Sequence, residues 1–136
     1  MPLALLDSDI LSELIKLRNA SVRLRALSYT QQHGQLAFSA MTRYAVIRGY
    51  KDRNATTQLA RFDTFCRNST VLPLTDRIFD RAADLWALAR QGGHPRGDAD
   101  LIIAATALEH GRQLVTGNTP HFAWIPGLPI EDWRLP

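Results

Sequence analysis

"DADLIIAATALEHGRQLVTGN", residues 98 to 118, decides how the chain is organised. From Leu101 to Leu108 it is apolar nearly all round, so it reads as a central helix buried on every side. Gly111 supplies the stop, in the position where a left-handed residue is preferred. "RQLVTGN" then reads as a strand over about 112 to 116 with a turn, and Thr116 and Asn118 stand where it ends. Two acids, Asp98 and Asp100, lie where the helix begins.

Working outward, "LALL" at 3 to 6 is a second continuous apolar run, the mark of a strand covered on both faces. Ser8 or Asp9 reads as the cap of a helix over about 10 to 17, with Ile10, Leu11, Leu14, Ile15 and Leu17 on its buried side. A second helix opens near Ser21, turns Val22, Ala26 and Tyr29 inward, and stops at Gly34. "QLAFS" reads as the second strand, followed by helices over about 40 to 54 and 55 to 67. The latter carries Leu59, Phe62 and Cys66 at helical spacing. "TVLPL" is a short third strand or extended piece, limited by Pro73. "TDRIFDRAADLWALARQGG" is the clearest amphipathic helix. Thr75 caps it, Ile78, Phe79, Ala82, Leu85, Trp86 and Ala89 form one face, and Gly92 ends it. "GGHPRG" is a loop, "TPHFAWIPG" a surface loop or short helix, and "LPIEDW" a last strand. Trp86 reads as core, while Trp124 and Trp133 pack the C-terminal segment. Alternating strands and helices predict a single α/β domain over residues 1–136. Its mostly parallel sheet has four to five short strands, with helices on both faces.

Composition sets limits on function. The chain has 136 residues, enough for one domain with its own core. The single cysteine, Cys66, excludes an internal disulfide and a cysteine-based metal centre, and fits a reducing, cytoplasmic setting. Its expected role is packing rather than reactivity. No membrane span is expected. The net charge is +3, but the basic residues cluster: Lys16, Arg18, Arg23 and Arg25 in one group, Arg43, Arg48, Lys51 and Arg53 in another. Such clusters suit a polyanion, though a solvated helix face looks the same in sequence. Arg43, Arg48 and Lys51 are the candidate phosphate contacts.

In open parallel sheets, ligands bind beyond the carboxyl ends of the strands. The residues expected there are Asp7 and Asp9, Ser39 and Thr42, Asp98 and Asp100, and Thr116 and Asn118. This oxygen-rich set suits a hard divalent cation such as Mg²⁺ or Mn²⁺. Each acid also has a plainer reading, since Asp9 and Asp98 suit helix caps and Asp100 suits a helix's first turn. His33, His94, His110 and His121 read as surface or capping residues.

"LALLDSDILSELI", "FSAMTRYAVIRGY", "DADLIIAATALEHG" and "LVTGNTPHFAWIPGLPIEDW" together resemble the successive signature blocks of PIN-domain ribonucleases, above all VapC-type toxins of bacterial toxin–antitoxin pairs. The resemblance runs from residue 3 to 133. It implies a Mg²⁺- or Mn²⁺-dependent endoribonuclease acting on RNA, with tRNA or another structured RNA as a plausible target. In that pattern Asp7 and Asp100 match metal-binding acids, and Asn118 matches a fourth position that holds Asp or Asn. Thr116 matches the hydroxyl residue beside it. The resemblance also implies a cognate antitoxin that covers the acidic site, and a homodimer or toxin–antitoxin hetero-oligomer.

One block departs from the pattern, which runs Ser-x-x-Thr-x-x-Glu. Here it is Ser39, Thr42 and then Ala45, so the family's second acid is missing. Thr42 and Ala45 share a helix face, and alanine has no oxygen to offer a metal. Asp98 is the best stand-in. The chain is therefore expected to be impaired, either as a naturally degenerate member or through a deliberate Glu→Ala change; the intact remainder of the pattern favours the second. Two rivals remain. "LLDSD" also resembles the Asp-x-Asp opening of haloacid-dehalogenase-type phosphatases, with Asp7 as nucleophile and Asp9 as general acid. The other rival is a catalytically inactive PIN-like module that binds RNA or antitoxin.

Overall fold

The computed structural model describes residues 1–94 and 96–136; Pro95, inside the loop expected at 92–97, lies outside the described residues. Five short strands alternate with seven helices among them. They are β1 (Ala4–Leu6), α1 (Ser8–Lys16), α2 (Ala20–His33), β2 (Ala37–Ser39), α3 (Ala40–Asp52) and α4 (Thr56–Arg67), then β3 (Thr70–Leu72), α5 (Asp76–Gln91), α6 (Asp98–Glu109), β4 (Gln113–Val115), α7 (Thr119–Phe122) and β5 (Ile130–Glu131). Every ladder is parallel: β4 lies between β1 and β5, and β2 pairs with β3. β2 packs alongside β1, so the two ladders form one layer. Parallel strands require crossover connections, and the helices supply them.

The sheet divides two cores, as the period-two alternation of strand side chains demands. Leu5 and Leu114 face α5 and α6 on one side. Ala4, Leu6 and Val115 face α1, α2 and α4 on the other, where Tyr29, Phe38, Phe62 and Trp133 fill the space. Helix α6 is buried as its composition predicts, at Leu101 and continuously from Ile103 to Ala107. Trp133 is fully buried and fastens the C-terminal segment to the second core, as expected. No helix among the described residues is long and apolar enough to cross a membrane.

Several local readings need correction. Asp7, not Ser8 or Asp9, caps α1. Gly97, without a side-chain bond, precedes α6, so Asp98 is that helix's first residue and not its cap. Leu17 is not on a buried face. It ends α1 in the left-handed region at φ 54 and is 63% exposed. On α5 the buried stripe is Ile78, Ala82, Leu85 and Ala89, at alternating four- and three-residue steps. Phe79 and Trp86 each sit one residue beyond that stripe, about 100° round the helix, and are 47% and 46% exposed. Trp86 is therefore not core; its ring packs under the Arg90 guanidinium, 5.0 Å from the centroid.

These burials separate two neighbouring substitutions. Leu85→Ala should cost about 3 kcal/mol of unfolding free energy, whereas Trp86→Ala should cost about 1 kcal/mol or less. Urea denaturation followed by circular dichroism measures both, and a larger loss at Trp86 would contradict the packing described.

Candidate active site

Asp7 follows directly on β1, in an extended conformation that lets its side chain turn back onto the start of α1. Its Oδ1 accepts from the Ser8 backbone N–H at 2.8 Å, and its Oδ2 accepts from the Thr116 hydroxyl at 2.9 Å. Its own N–H donates to the Val115 carbonyl at 2.9 Å, which continues the β1–β4 ladder. Thr116 Oγ1 in turn accepts from the Asn118 N–H at 3.0 Å. One buried hydroxyl thus orients the carboxylate and shapes the turn after β4.

Asp7 is only 6% exposed. Burial pushes its carboxyl up to about 6, the negative charge of Asp9 adds to this, and Asp100 contributes more weakly. The bonds from Ser8 and Thr116 act in the opposite direction. Asp9 is also raised, first by burial, against the pull of bonds from the Gly117 and Ile10 N–H groups. Asp100, in the first turn of α6, is half-buried, and its Oδ2 lies 3.5 Å from His121 Nδ1 on α7. The end of β1 and the start of α6 therefore bring Asp7 and Asp100 within electrostatic reach of each other, as their positions in sequence suggested.

The other expected residues divide. Ser39 is fully buried, but its Oγ caps α3 by accepting from Met41 N–H at 3.0 Å. Thr42 is fully buried too, and its Oγ1 has no hydrogen-bond partner. Asn118 is exposed on the turn after β4. Asp98 lines a groove between α5 and α6 with Phe79, Trp86 and Ile102. Two residues from Asp100, it points about 200° away round the helix, which leaves it badly placed as a substitute acid. Ala45 borders a crevice of about 200 Å³ between α1 and α3. Arg43 and Lys51 line a different groove, between α3 and α4, beside Asp63 and Cys66. Arg48 stacks over Tyr44 at 5.1 Å. The three candidate phosphate contacts are thus not one patch. Burial raises the Cys66 thiol against the opposing effect of Arg43, in keeping with a packing role.

Sequence reasoning missed two features of this rim. His121 was read as a surface or capping residue, yet it stands beside Asp100. Arg134 binds Asp132 and donates to the Gly117 carbonyl at 2.8 Å. A Cβ at Gly117 would push that guanidinium aside and cost its bond to the Gly117 carbonyl. Position 121 carried a usable signal, being three residues past Asn118 on the same turn; Arg134 carried none.

The donor chemistry fits a hard cation in part. Two carboxylates, an unpartnered buried hydroxyl and an exposed amide are oxygen donors of the type Mg²⁺ or Mn²⁺ accepts along with water. Among the described residues, no three His, Cys, Asp or Glu side chains gather around one point; Mg²⁺ commonly takes only one or two carboxylates beside its waters.

A sheet with this connectivity and acids at this rim defines a PIN domain. The profile of that family, described as "PIN domain", matches residues 4–123, and the chain belongs to the PIN-domain family. More particularly, it is similar to VapC proteins. It is 34% identical over 131 residues to the tRNA(fMet)-specific endonuclease VapC of Shigella flexneri, covering 95% of this chain and 96% of that protein. The protein of the same name from Salmonella typhimurium is 28% identical, over 95% of this chain and 96% of its own length. Among solved structures, the DNA-bound VapBC of Salmonella typhimurium superimposes with a TM-score of 0.85 at 28% identity, over 98% of this chain and 99% of that one.

The raised Asp7 carboxyl makes a signed prediction for the metal-free protein. The folded state binds a proton more tightly than the unfolded chain, so stability is full below pH 4 and falls as pH rises through about 6. The loss should approach about 3 kcal/mol, two pKa units' worth. Asp7→Asn, which can still cap α1, should flatten the curve; an unchanged pH profile of urea midpoints would refute the assignment.

Proposed function

We propose that this chain is the toxin of a VapBC-type toxin–antitoxin pair, and that its family chemistry is hydrolysis of RNA phosphodiester bonds. The observation that supports the reading is that Asp7, directly after β1, and Asp100, in the first turn of α6, are near enough for the Asp100 charge to act on Asp7, in a chain whose similar proteins include tRNA endonucleases. The substrate class is RNA, with tRNA or another structured RNA favoured.

In this reading Asp7 and Asp100 hold Mg²⁺ or Mn²⁺, with the Thr42 hydroxyl and the Asn118 side chain as neutral donors at the same rim. Such a cation, when bound, supplies water activation and charge compensation on the phosphate. Thr116 keeps the Asp7 carboxylate turned toward the rim, and Ser8 N–H fixes its other oxygen. A bound cation would also offset the burial and the neighbouring negative charge of Asp9 that raise Asp7, so binding and deprotonation are coupled.

Ala45 stands where the family pattern has glutamate, and this chain is accordingly impaired. Two observations support that reading: Thr42 and Ala45 share one face of α3, and no third acid joins the described set. The same observations favour a second reading, a PIN-like module that binds RNA or antitoxin without cutting. The phosphatase reading gains nothing, because both Asp9 carboxylate oxygens accept backbone N–H groups. Its partner is a cognate antitoxin, and a guanidinium from it would suit the Asp7–Asp100 pair. A homodimer or a toxin–antitoxin hetero-oligomer, held in the cytoplasm, completes the proposal.

Cleavage of tRNA in Mg²⁺ or Mn²⁺ tests this directly. Ala45→Glu should raise the rate by about 100-fold or more over the unsubstituted chain, and adding Asp100→Asn should abolish the gain. If the Ala45→Glu chain cuts no RNA in either metal, the non-catalytic module is the correct reading.

A further inference from the structure

The crevice beside Ala45 has a chemistry opposite to that of the acidic rim. It runs between α1 and α3, has a volume of about 200 Å³, and is walled by Ser12, Lys16, Ala45, Tyr50 and Arg53 among others. Its polar groups are two cations and two hydroxyls, and no carboxylate lines it. Neither Lys16 nor Arg53 has an ion-pair partner among the described residues. Arg53 is nevertheless held in place: its guanidinium lies over the Tyr50 ring at 5.5 Å and beside Gly49, where an added Cβ would sit 3.7 Å from Nη1. A cation positioned this way loses less side-chain freedom on binding an anion than a free one does.

The crevice also has a definite relation to the acids. Helix α1 begins on Asp7, and α3 carries the unpartnered Thr42 hydroxyl. Ala45 is on the same face as Thr42 and about 4.5 Å further along the axis. The helices that present the rim therefore lead directly into the cationic crevice. The groove holding Arg43 and Lys51 is less suited to a phosphate, since Asp63 lines it together with the Cys66 thiol.

We propose that the α1–α3 crevice is a subsite for a backbone phosphate of bound RNA, contacted by Lys16 and Arg53, with Ser12 and Tyr50 as hydroxyl donors. The proposal rests on the RNA-directed reading above, yet it concerns binding and not cleavage. Position 45 then borders two sites of opposite sign, the acids on one side and the cations on the other. A small residue there leaves the crevice open.

The test is fluorescence anisotropy with a labelled single-stranded RNA oligonucleotide, in EDTA so that nothing is cut, over a series of salt concentrations. Lys16→Gln with Arg53→Gln should weaken binding about ten-fold at low salt, the effect of one charge-assisted contact. It should also reduce the slope of log K against log salt by about 0.7, one phosphate's share on a single strand. Arg53→Lys should recover less than half of the loss, because an ammonium cannot reproduce the fork. Circular dichroism melts show whether the variants stay folded, which is expected because both side chains are on the surface. If RNA still binds but the double variant changes neither affinity nor slope, the subsite is wrong and the nuclease reading stands. If Arg43→Gln with Lys51→Gln carries the whole loss instead, the strand lies in the α3–α4 groove and the proposal is overturned. A chain that binds no RNA at all overturns the subsite and the RNA-directed reading together.

Discussion

The hydrogen bond from Thr116 to Asp7, 2.9 Å long and buried, joins the ends of two neighbouring strands. Asp7 closes β1 and opens α1, and Thr116 closes β4 and shapes the turn toward Asn118 and α7. It adds a side-chain tie to the two backbone-donated bonds that already link these segments, from Asp7 N–H to Val115 and from Gly117 N–H to Asp9. With it, the carboxylate, the turn and the start of α1 are one unit. The position of Asp100 matters only because this unit is already fixed.

Holding that carboxylate so deep has a cost. The second charge of Asp100 and the nearby Asp9 both oppose ionisation, and the two hydrogen bonds compensate only partly. An acidic cluster strained in this way is common at functional sites, where a ligand supplies what the fold leaves unbalanced. Under the proposed function, a carboxylate at position 45 would add both a ligand and further repulsion to these acids, and alanine supplies neither. The basic residues show a related division, since Lys16 and Arg53 line a crevice free of acids, whereas Arg43 and Lys51 share theirs with Asp63.

Much of the fold was legible in the sequence because β1, β2 and β4 are buried on both faces and lie in largely apolar runs. β1, β2 and β4 fall within "LALL", "QLAFS" and "RQLVTGN", each shorter than its stretch, and the apolar α6 is central. Errors arose at helix ends and on helix flanks. Leu17 looks like one more apolar residue on α1, but the chain turns left-handed there and exposes it. Phe79 and Trp86 match a broad apolar face on α5, although only one stripe of that face meets the sheet. Asp98 looks equivalent to Asp100 in a linear reading; two residues of helical rotation send it to the α5 side.

By itself, the sequence determined the alternation of elements and the set of oxygen-bearing residues at strand ends. These are local or periodic properties, and period and residue type state them directly. Tertiary structure alone decided which of those oxygens face one another. It brought Asp7 under Thr116, set His121 beside Asp100, left Thr42 without a partner and placed Arg134 over Gly117. It also gave Ala45 a cationic crevice as its neighbour. Each of these depends on how separate helices settle on a common sheet, and contacts between segments so far apart in the chain leave no periodic trace in it.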